Sequence, residues 1–213
     1  MALPATHIRF AADMADRYPI HRLEAYISGA VYPDSRRFTG IPRKKTHAGI
    51  HLQRSFAECD FTFGWHVHCL CDHLQAGLYN RMVPGLLKLD ELSRWVRLAA
   101  AKMVQDQHDM HQIDLDPLLD CLAYAQAPQG ENITQINAYN RLIQDTYSGK
   151  HHLAPGDYYG LWTGVGVSSH IAEALVSEMQ QILEDNALAE RICSSYELML
   201  HRGSASSRSL HQP

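Results

Sequence analysis

The stretch GWHVHCLCD, at positions 64–72, decides how this chain is interpreted. It belongs to an apolar segment, about 61–80, whose composition and spacing predict a long buried helix. His68 and Asp72 are four residues apart, so at about 3.6 residues per turn their side chains lie on one face of that helix. An imidazole and a carboxylate held together on a rigid helix form half of a metal site, although the same pair also fits a hydrogen bond at a helix surface.

Three side chains nearer the amino terminus offer the other half of such a site. Asp34 and His47 lie in segments predicted to be loops, and His7 lies near the start of the first predicted helix. With His68 and Asp72 they supply imidazole nitrogen and carboxylate oxygen, which suit zinc, iron or manganese. The set contains no thiolate, which argues against a structural zinc finger. Each upstream residue also has a simpler interpretation, since Asp34 after a proline can cap a turn or a helix.

Composition bounds the class of protein. A chain of 213 residues with 46% hydrophobic and 20% charged residues is typical of one soluble domain with a sizeable core. The formal net charge of −4 gives no reason to expect binding to nucleic acid. Histidine is the unusual component, with 14 residues, and metal ligation is a common use for such an excess.

The cysteines and the apolar segments bear on the compartment. Five cysteines without framework spacing predict reduced, mostly buried thiols, as in a cytoplasmic protein. The amino-terminal residues lack the pattern of a signal peptide, and no apolar run approaches the ~20 residues of a membrane span. We therefore expect a cytoplasmic chain without stable membrane insertion, and homo-oligomerisation stays open.

Helical spacing recurs along the whole chain and predicts an all-α fold. We expect a single helical metal-binding domain over 1–202 and a disordered polar tail over 203–213. A long basic loop is predicted over 34–49, followed by a short polar helix. The other predicted helices cover 5–18, 20–30, 61–80, 88–110, 116–126, 132–147, 160–183 and 188–200.

Four motifs stand in a particular order within the first 80 residues: LPATHIRFA at 3–11, SGAVYPDS at 28–35, KTH at 45–47 and GWHVHCLCD at 64–72. In this order they resemble the zinc-dependent phospholipase C family and, more loosely, the HD-domain metal phosphohydrolases. The resemblance implies a multi-helix orthogonal bundle and the hydrolysis of a phosphoester.

The resemblance also implies a ligand set. Asp34, His47, His68 and Asp72 would be the core ligands, and His7 would bind a second ion that shares the Asp72 carboxylate. The phospholipases use three further features as ligands: an amino-terminal tryptophan, a histidine shortly after the helix aspartate and a late His-x-x-x-Glu pair. None has a counterpart in this chain. We therefore expect one or two divalent ions, with zinc as the first choice and iron, manganese or nickel as alternatives.

These expectations assign roles to the remaining residues. A bound ion would activate water, and Asp34 and Asp72 would be the catalytic carboxylates acting on a small, soluble phosphorylated substrate. The basic loop would bind the phosphate, unless its charges are simply solvated. The candidate substrate-binding residues are Arg36, Arg37, Lys44 and Lys45. The alternatives are a non-catalytic helical binding protein stabilised by metal, a hydrolase of a non-phosphate substrate, and a metal-free helical interaction module.

Overall fold

α-Helices form most of the described part of the chain, and that part contains no β-strand. The structure, a computed structural model, describes residues 3–47 and 59–208. The predicted all-α class is therefore confirmed. Short 3-10 turns cover Tyr32–Ser35, Leu86–Lys88 and Cys121–Ala123. In chain order the α-helices are α1 (Pro4–Ala15), α2 (Leu23–Val31), α3 (Arg36–Thr39), α4 (Arg43–Thr46), α5 (Asp60–Met82), α6 (Glu91–Met110), α7 (Asp116–Asp120), α8 (Ile133–Tyr147), α9 (Pro155–Gly164), α10 (Ser169–Glu184) and α11 (Asn186–Arg208).

Helices α2 and α5 make the most extensive contact in the fold, and two glycines permit it. A Cβ atom added at Gly64 of α5 would lie 1.9 Å from the carbonyl oxygen of Tyr26 in α2. A Cβ atom added at Gly29 of α2 would lie 2.0 Å from the carbonyl oxygen of Phe61 in α5. No side chain fits at either position, so the two backbones touch directly. This contact brings the end of α2 against the face of α5 that carries His68.

Helices α1, α10 and α11 pack against α5 or α6. Helix α1 contacts α2, α5 and α6, α11 packs on α5 and α6, and α10 packs on α6 and α9. One continuous cluster of buried apolar side chains extends from α1 to α11. It includes Phe10, Val67, Met103 and Tyr196, each at most 1% exposed. Helices α5 and α6 are therefore fixed from several sides, and α5 carries two of the candidate ligands.

Capping and glycine residues explain where the helices differ from the predicted ranges. The predicted helix over 88–110 begins at Glu91, because the Asp90 side chain accepts a hydrogen bond from the Ser93 amide (3.0 Å) and caps it. The predicted helix over 160–183 is divided into α9 and α10. Gly166 lies between them with φ +86°, a left-handed conformation that ends a helix.

The predicted loop over 34–49 is largely helical where the structure describes it. A 3-10 turn carries Asp34, and the short helices α3 and α4 follow it. Gly40, with φ +69°, ends α3, and Pro42 precedes α4. Residues 48–58, with the predicted short polar helix, lie outside the described residues.

Helix α11 continues through Arg208, past the boundary predicted at residue 203. Gly203 is buried, and a Cβ atom added there would lie 3.0 Å from the Phe10 ring. The Ser204 hydroxyl donates to the Leu200 carbonyl oxygen at 2.5 Å, one turn earlier. Although its composition is polar, this segment is therefore the end of a helix, and it packs on α1 and α5. Residues 209–213 of the predicted tail lie outside the described residues.

None of the described helices combines the length and the apolar character that a membrane span needs. All five cysteines are unpaired, but the prediction that they are mostly buried was wrong: Cys69 and Cys71 are buried, Cys121 and Cys193 are half-buried, and Cys59 is exposed.

A buried polar network joins α6 to α1, α8 and α9. Asp106, which is 0% exposed, accepts hydrogen bonds from the Thr6 amide (3.2 Å), the Tyr147 hydroxyl (2.8 Å) and the Tyr158 hydroxyl (3.3 Å). Burial raises the pKa of Asp106 to about 7 from an ordinary 3.8, although the three donors oppose the shift. The folded protein therefore binds this proton more tightly than the unfolded chain does.

This network predicts a dependence of stability on pH. The stabilisation by protonated Asp106 is complete below about pH 4 and is lost as the pH rises through about 7. Between pH 5.5 and 7.5 we expect Asp106 to lower the free energy of unfolding by about 2 kcal/mol. The Asp106→Asn variant should lack this decline. Its free energy of unfolding, relative to that of the wild type, should therefore increase as the pH rises. Urea denaturation at several pH values measures it. Asp145→Asn, at an exposed position, is the control. The prediction would be contradicted if the free energy of unfolding changed equally with pH in the wild type and in Asp106→Asn.

Candidate metal centre

The fold brings the five predicted ligands together from four parts of the chain. His7 lies on α1, Asp34 on the 3-10 turn after α2, His47 directly after α4, and His68 and Asp72 on α5. Each of their side chains is at most 5% exposed. The residues of the stretch 64–72 therefore meet the upstream candidates inside the protein.

Two contacts from the stretch 64–72 position these elements. The indole N–H of Trp65 donates to the Thr46 carbonyl oxygen at 2.5 Å, which holds the end of α4 against α5. Gly64 allows the close approach of α2, and the turn carrying Asp34 follows α2 directly. The same segment thus supplies two ligands and positions two others.

The ligand atoms lie at separations that suit a shared cation. His47 Nε2 is 3.4 Å from His68 Nε2, 3.5 Å from Asp72 Oδ2 and 3.7 Å from Asp34 Oδ1. His7 Nε2 is 3.8 Å from Asp34 Oδ2 and 3.9 Å from Asp72 Oδ1. Ligands bound tetrahedrally at about 2.0–2.2 Å lie about 3.3–3.6 Å apart. The shortest separations fall in this range, and the longer ones need an adjustment of a few tenths of an ångström.

Hydrogen bonds fix which nitrogens of two histidines face the centre. His68 Nδ1 donates to the Ala30 carbonyl oxygen at 2.7 Å, so Nε2 of the neutral ring carries a lone pair. The Thr46 hydroxyl forms a hydrogen bond with His47 Nδ1 at 2.8 Å, so Nε2 of His47 faces the centre. His47 Nε2 and His68 Nε2 therefore face each other. A backbone or hydroxyl oxygen bound to the distal nitrogen is the usual arrangement for metal-ligating histidine.

Protonation gives these imidazoles no positive charge near pH 7. Burial lowers the pKa of His68 to about 4, despite the nearby Asp72 carboxylate. Burial also lowers the pKa of His47 and, more strongly, that of His7, which His68 further disfavours as a cation. All three rings are consequently neutral near pH 7 and present ligand nitrogens instead of positive charge.

The two carboxylates have different environments. Burial raises the pKa of Asp34 to about 6, and the negative charge of Asp72 raises it further. Burial alone would also raise the pKa of Asp72, but Lys102 and the hydrogen bond with His47 hold it well below its ordinary value. Asp72 is therefore the permanent anion of the pair.

Two cations that our sequence analysis did not assign to the site contact Asp72. Lys102 of α6, 8% exposed, places Nζ 3.9 Å from Asp72 Oδ1. Arg43 of α4 donates from a terminal guanidinium nitrogen to Asp72 Oδ2 at 3.2 Å. A signal for Lys102 was present, since it interrupts the apolar run LAAAKMV at 98–104. Arg43 belonged to the predicted basic loop.

The four predicted substrate-binding residues divide into two pairs. Arg36 and Arg37 line a cavity of about 310 Å³ beside the centre. Lys44 and Lys45 are exposed on α4 and line neither this cavity nor the adjoining one of about 230 Å³, which reaches His47 and Asp72. The structure thus brings the arginines to the site and leaves the two lysines at the surface.

The donor set fits a divalent metal ion. Three neutral imidazoles and two carboxylates converge, and these residue types form two overlapping groups of candidate ligands. Both ring nitrogens of His7 and Oδ1 of Asp34 are buried without a hydrogen-bond partner among the described residues. Buried polar atoms normally have partners, so these orphaned atoms indicate a place for a cation.

Comparisons with known proteins add no family to this description: no family model, curated protein or solved structure matches the chain. The resemblance to the phospholipase C and HD-domain families therefore stays a prediction, and the function must be argued from the site.

Proposed function

We propose that this protein is a metal-dependent hydrolase of a small phosphoester. The observation that carries the proposal is that His47 Nε2 and His68 Nε2 face each other at 3.4 Å beside two buried carboxylates. A divalent cation between these groups would satisfy the imidazole nitrogens and the carboxylate oxygens together. His7, Asp34, His47, His68 and Asp72 would hold one or two ions, with zinc as the first choice.

The chemistry follows from the residues around the ion. A divalent cation held here would lower the pKa of water toward about 7 and polarise a phosphoryl oxygen. Asp34, with Oδ1 free of hydrogen bonds among the described residues, would orient the attacking water and accept its proton. The new bond forms between the water oxygen and phosphorus, and the bond to the leaving oxygen breaks.

Lys102 and Arg43 favour a phosphoester over an uncharged substrate. Both cations contact Asp72 and also line the cavities beside the centre. They are therefore placed to stabilise negative charge on the phosphoryl oxygens as that charge grows in the transition state. Amide hydrolysis at the same centre would not require them. The two cavities, about 310 and 230 Å³, are suited to a small molecule.

The first test is metal content. Protein purified without an affinity tag should contain zinc, iron, manganese or nickel close to one or two ions per chain, measured by inductively coupled plasma mass spectrometry. Treatment with EDTA should remove the ion and lower the melting temperature, because an ion that binds only the folded state stabilises it. A chain purified without metal that also fails to bind added zinc would exclude this proposal and would favour the metal-free interaction module.

The second test is turnover. The reconstituted protein should hydrolyse 4-nitrophenyl phosphate or bis(4-nitrophenyl) phosphate, and the EDTA-treated protein should not. Metal with large thermal stabilisation but no turnover on phosphomonoesters and phosphodiesters would instead identify the non-catalytic binding protein. Turnover of amide substrates alone would identify a hydrolase that uses the same centre on a non-phosphate substrate.

A further inference from the structure

The larger cavity beside the candidate metal centre has two chemically different walls. Arg36, Arg37 and Lys102 line one part of its volume of about 310 Å³, and Trp95 lines another. The cavity shares Arg43 and Ala76 with the smaller cavity that reaches His47 and Asp72. The two cavities therefore adjoin, so a molecule that places one group at the centre has the larger cavity next to it.

Positive charge collects in this cavity although the chain as a whole carries a net charge of −4. Four cationic side chains line it, and no acidic residue among the described ones does. Asp72 lies close to Lys102 and Arg43, and Asp34 is the acidic group that interacts electrostatically with Arg36 and Arg37. The four cations therefore outnumber the two carboxylates near them. The Nε atoms of Arg36 and Arg37 are buried without a hydrogen-bond partner among the described residues. Converging cations that are partly removed from water repel one another, so a bound anion would stabilise them.

The remaining wall is apolar and partly aromatic. Trp95 is half-buried and packs its edge against Trp162, with ring centroids 5.8 Å apart. Leu98 and Ala99 continue this surface. The Arg37 guanidinium carbon lies 6.0 Å from the Trp162 ring, so the charged and aromatic walls meet there. Such a wall suits a flat ring more than a hydrated, sugar-like group.

We propose that this cavity binds the non-scissile part of the substrate, a flat aromatic body carrying a second anionic group. Arg36 and Arg37 hold the second anionic group, and Trp95 contacts the ring. This inference rests on the proposed function, since it assumes that the scissile phosphoryl group lies at the metal centre. Nucleoside diphosphates and carboxylated aryl phosphates share this chemistry.

The test compares ligands that differ only in the second anionic group. Isothermal titration calorimetry would measure phenylphosphonate against 4-carboxyphenylphosphonate, and the phosphonate analogue of AMP against the methylene-bridged analogue of ADP, with zinc-loaded and with EDTA-treated protein. Using the slowly reacting phosphonates and the bridged analogue separates binding from turnover. We expect the second anionic group to lower Kd at least about tenfold in one ligand pair or in both. The pair in which Kd falls shows whether the second anionic group is a carboxylate or a phosphate.

Substitutions test whether the arginines are responsible. Arg37→Gln should abolish the tenfold gain while changing the Kd of the single-anion ligand less than about threefold, and Arg36→Gln provides a second variant if the first unfolds. Arg141→Gln, an exposed arginine on α8, is the control and should retain the gain. Absence of the gain in wild-type protein, or its persistence in both variants, would overturn the inference. If the gain is present but no phosphoester is hydrolysed, the proposed function fails and the anion site stands.

Discussion

Asp72→Asn is expected to remove most of the proposed metal and to lower the proposed phosphoesterase activity at least about 1,000-fold. The side chain keeps its volume but loses its charge, and both carboxylate oxygens of Asp72 face candidate ligands. Oδ1 lies 3.9 Å from His7 Nε2, and Oδ2 lies 3.5 Å from His47 Nε2. Changes in groups that only orient the ligands of metal sites cost about 10–100-fold in affinity, so loss of a charged ligand should cost more. The measurements are metal content per folded chain and kcat/KM with 4-nitrophenyl phosphate.

The interpretation of this variant depends on the cations that Asp72 neutralises. Lys102 is 8% exposed and would lose its nearby carboxylate, which adds a stability defect to the loss of metal. His47→Gln therefore serves as a second variant, because it removes a ligand and leaves the contact between Asp72 and Lys102 in place. Asp145→Asn, at an exposed position of α8, is the matched control and should bind metal normally. Full metal occupancy in folded Asp72→Asn would refute the role assigned to this carboxylate.

The local part of the site could be predicted from the sequence, and the long-range part only in outline. His68 and Asp72 share a helix face, which their spacing alone determines. The convergence of Asp34 and His47 on that face depends on how α2 and α4 pack against α5, which spacing does not encode. We predicted it from the order of the motifs, and the structure brings the side chains together.

Lys102 shows which contacts residue spacing and motif order do not predict. Its position within a run of alanines and other apolar residues marks it as unusual, but its contact with Asp72 joins two residues on different helices that are thirty positions apart in the chain. The packing of α6 near the site decides that contact, and periodicity within α6 does not reveal it. The same limit explains why the helix was predicted to end before residue 203, whereas α11 ends at Arg208. The small, polar residues there have weak helical signals, while Gly203 packs closely against Phe10 of α1.

The second large effect is expected at Gly64, which we predict to be essential for the contact between α2 and α5. An added Cβ atom would lie 1.9 Å from the Tyr26 carbonyl oxygen and 3.0 Å from the Ala30 amide nitrogen. Both are backbone atoms, so a rotamer change cannot relieve the overlap and the helices must separate. We expect Gly64→Ala to lower the free energy of unfolding by at least about 3 kcal/mol. Urea denaturation followed by circular dichroism measures this change.

The same helix contains the matched control, since Gly77 of α5 is exposed and an added Cβ atom would have no neighbour within 4 Å. Gly77→Ala should raise stability by roughly 0.5–1 kcal/mol, because alanine is the better helix former. The two variants should also differ at the metal centre. Ala30 accepts the hydrogen bond that orients His68, so displacing α2 in Gly64→Ala should weaken zinc binding, whereas Gly77→Ala should leave it unchanged. Equal stability and equal zinc affinity in the two variants would show that close contact between α2 and α5 does not organise the site.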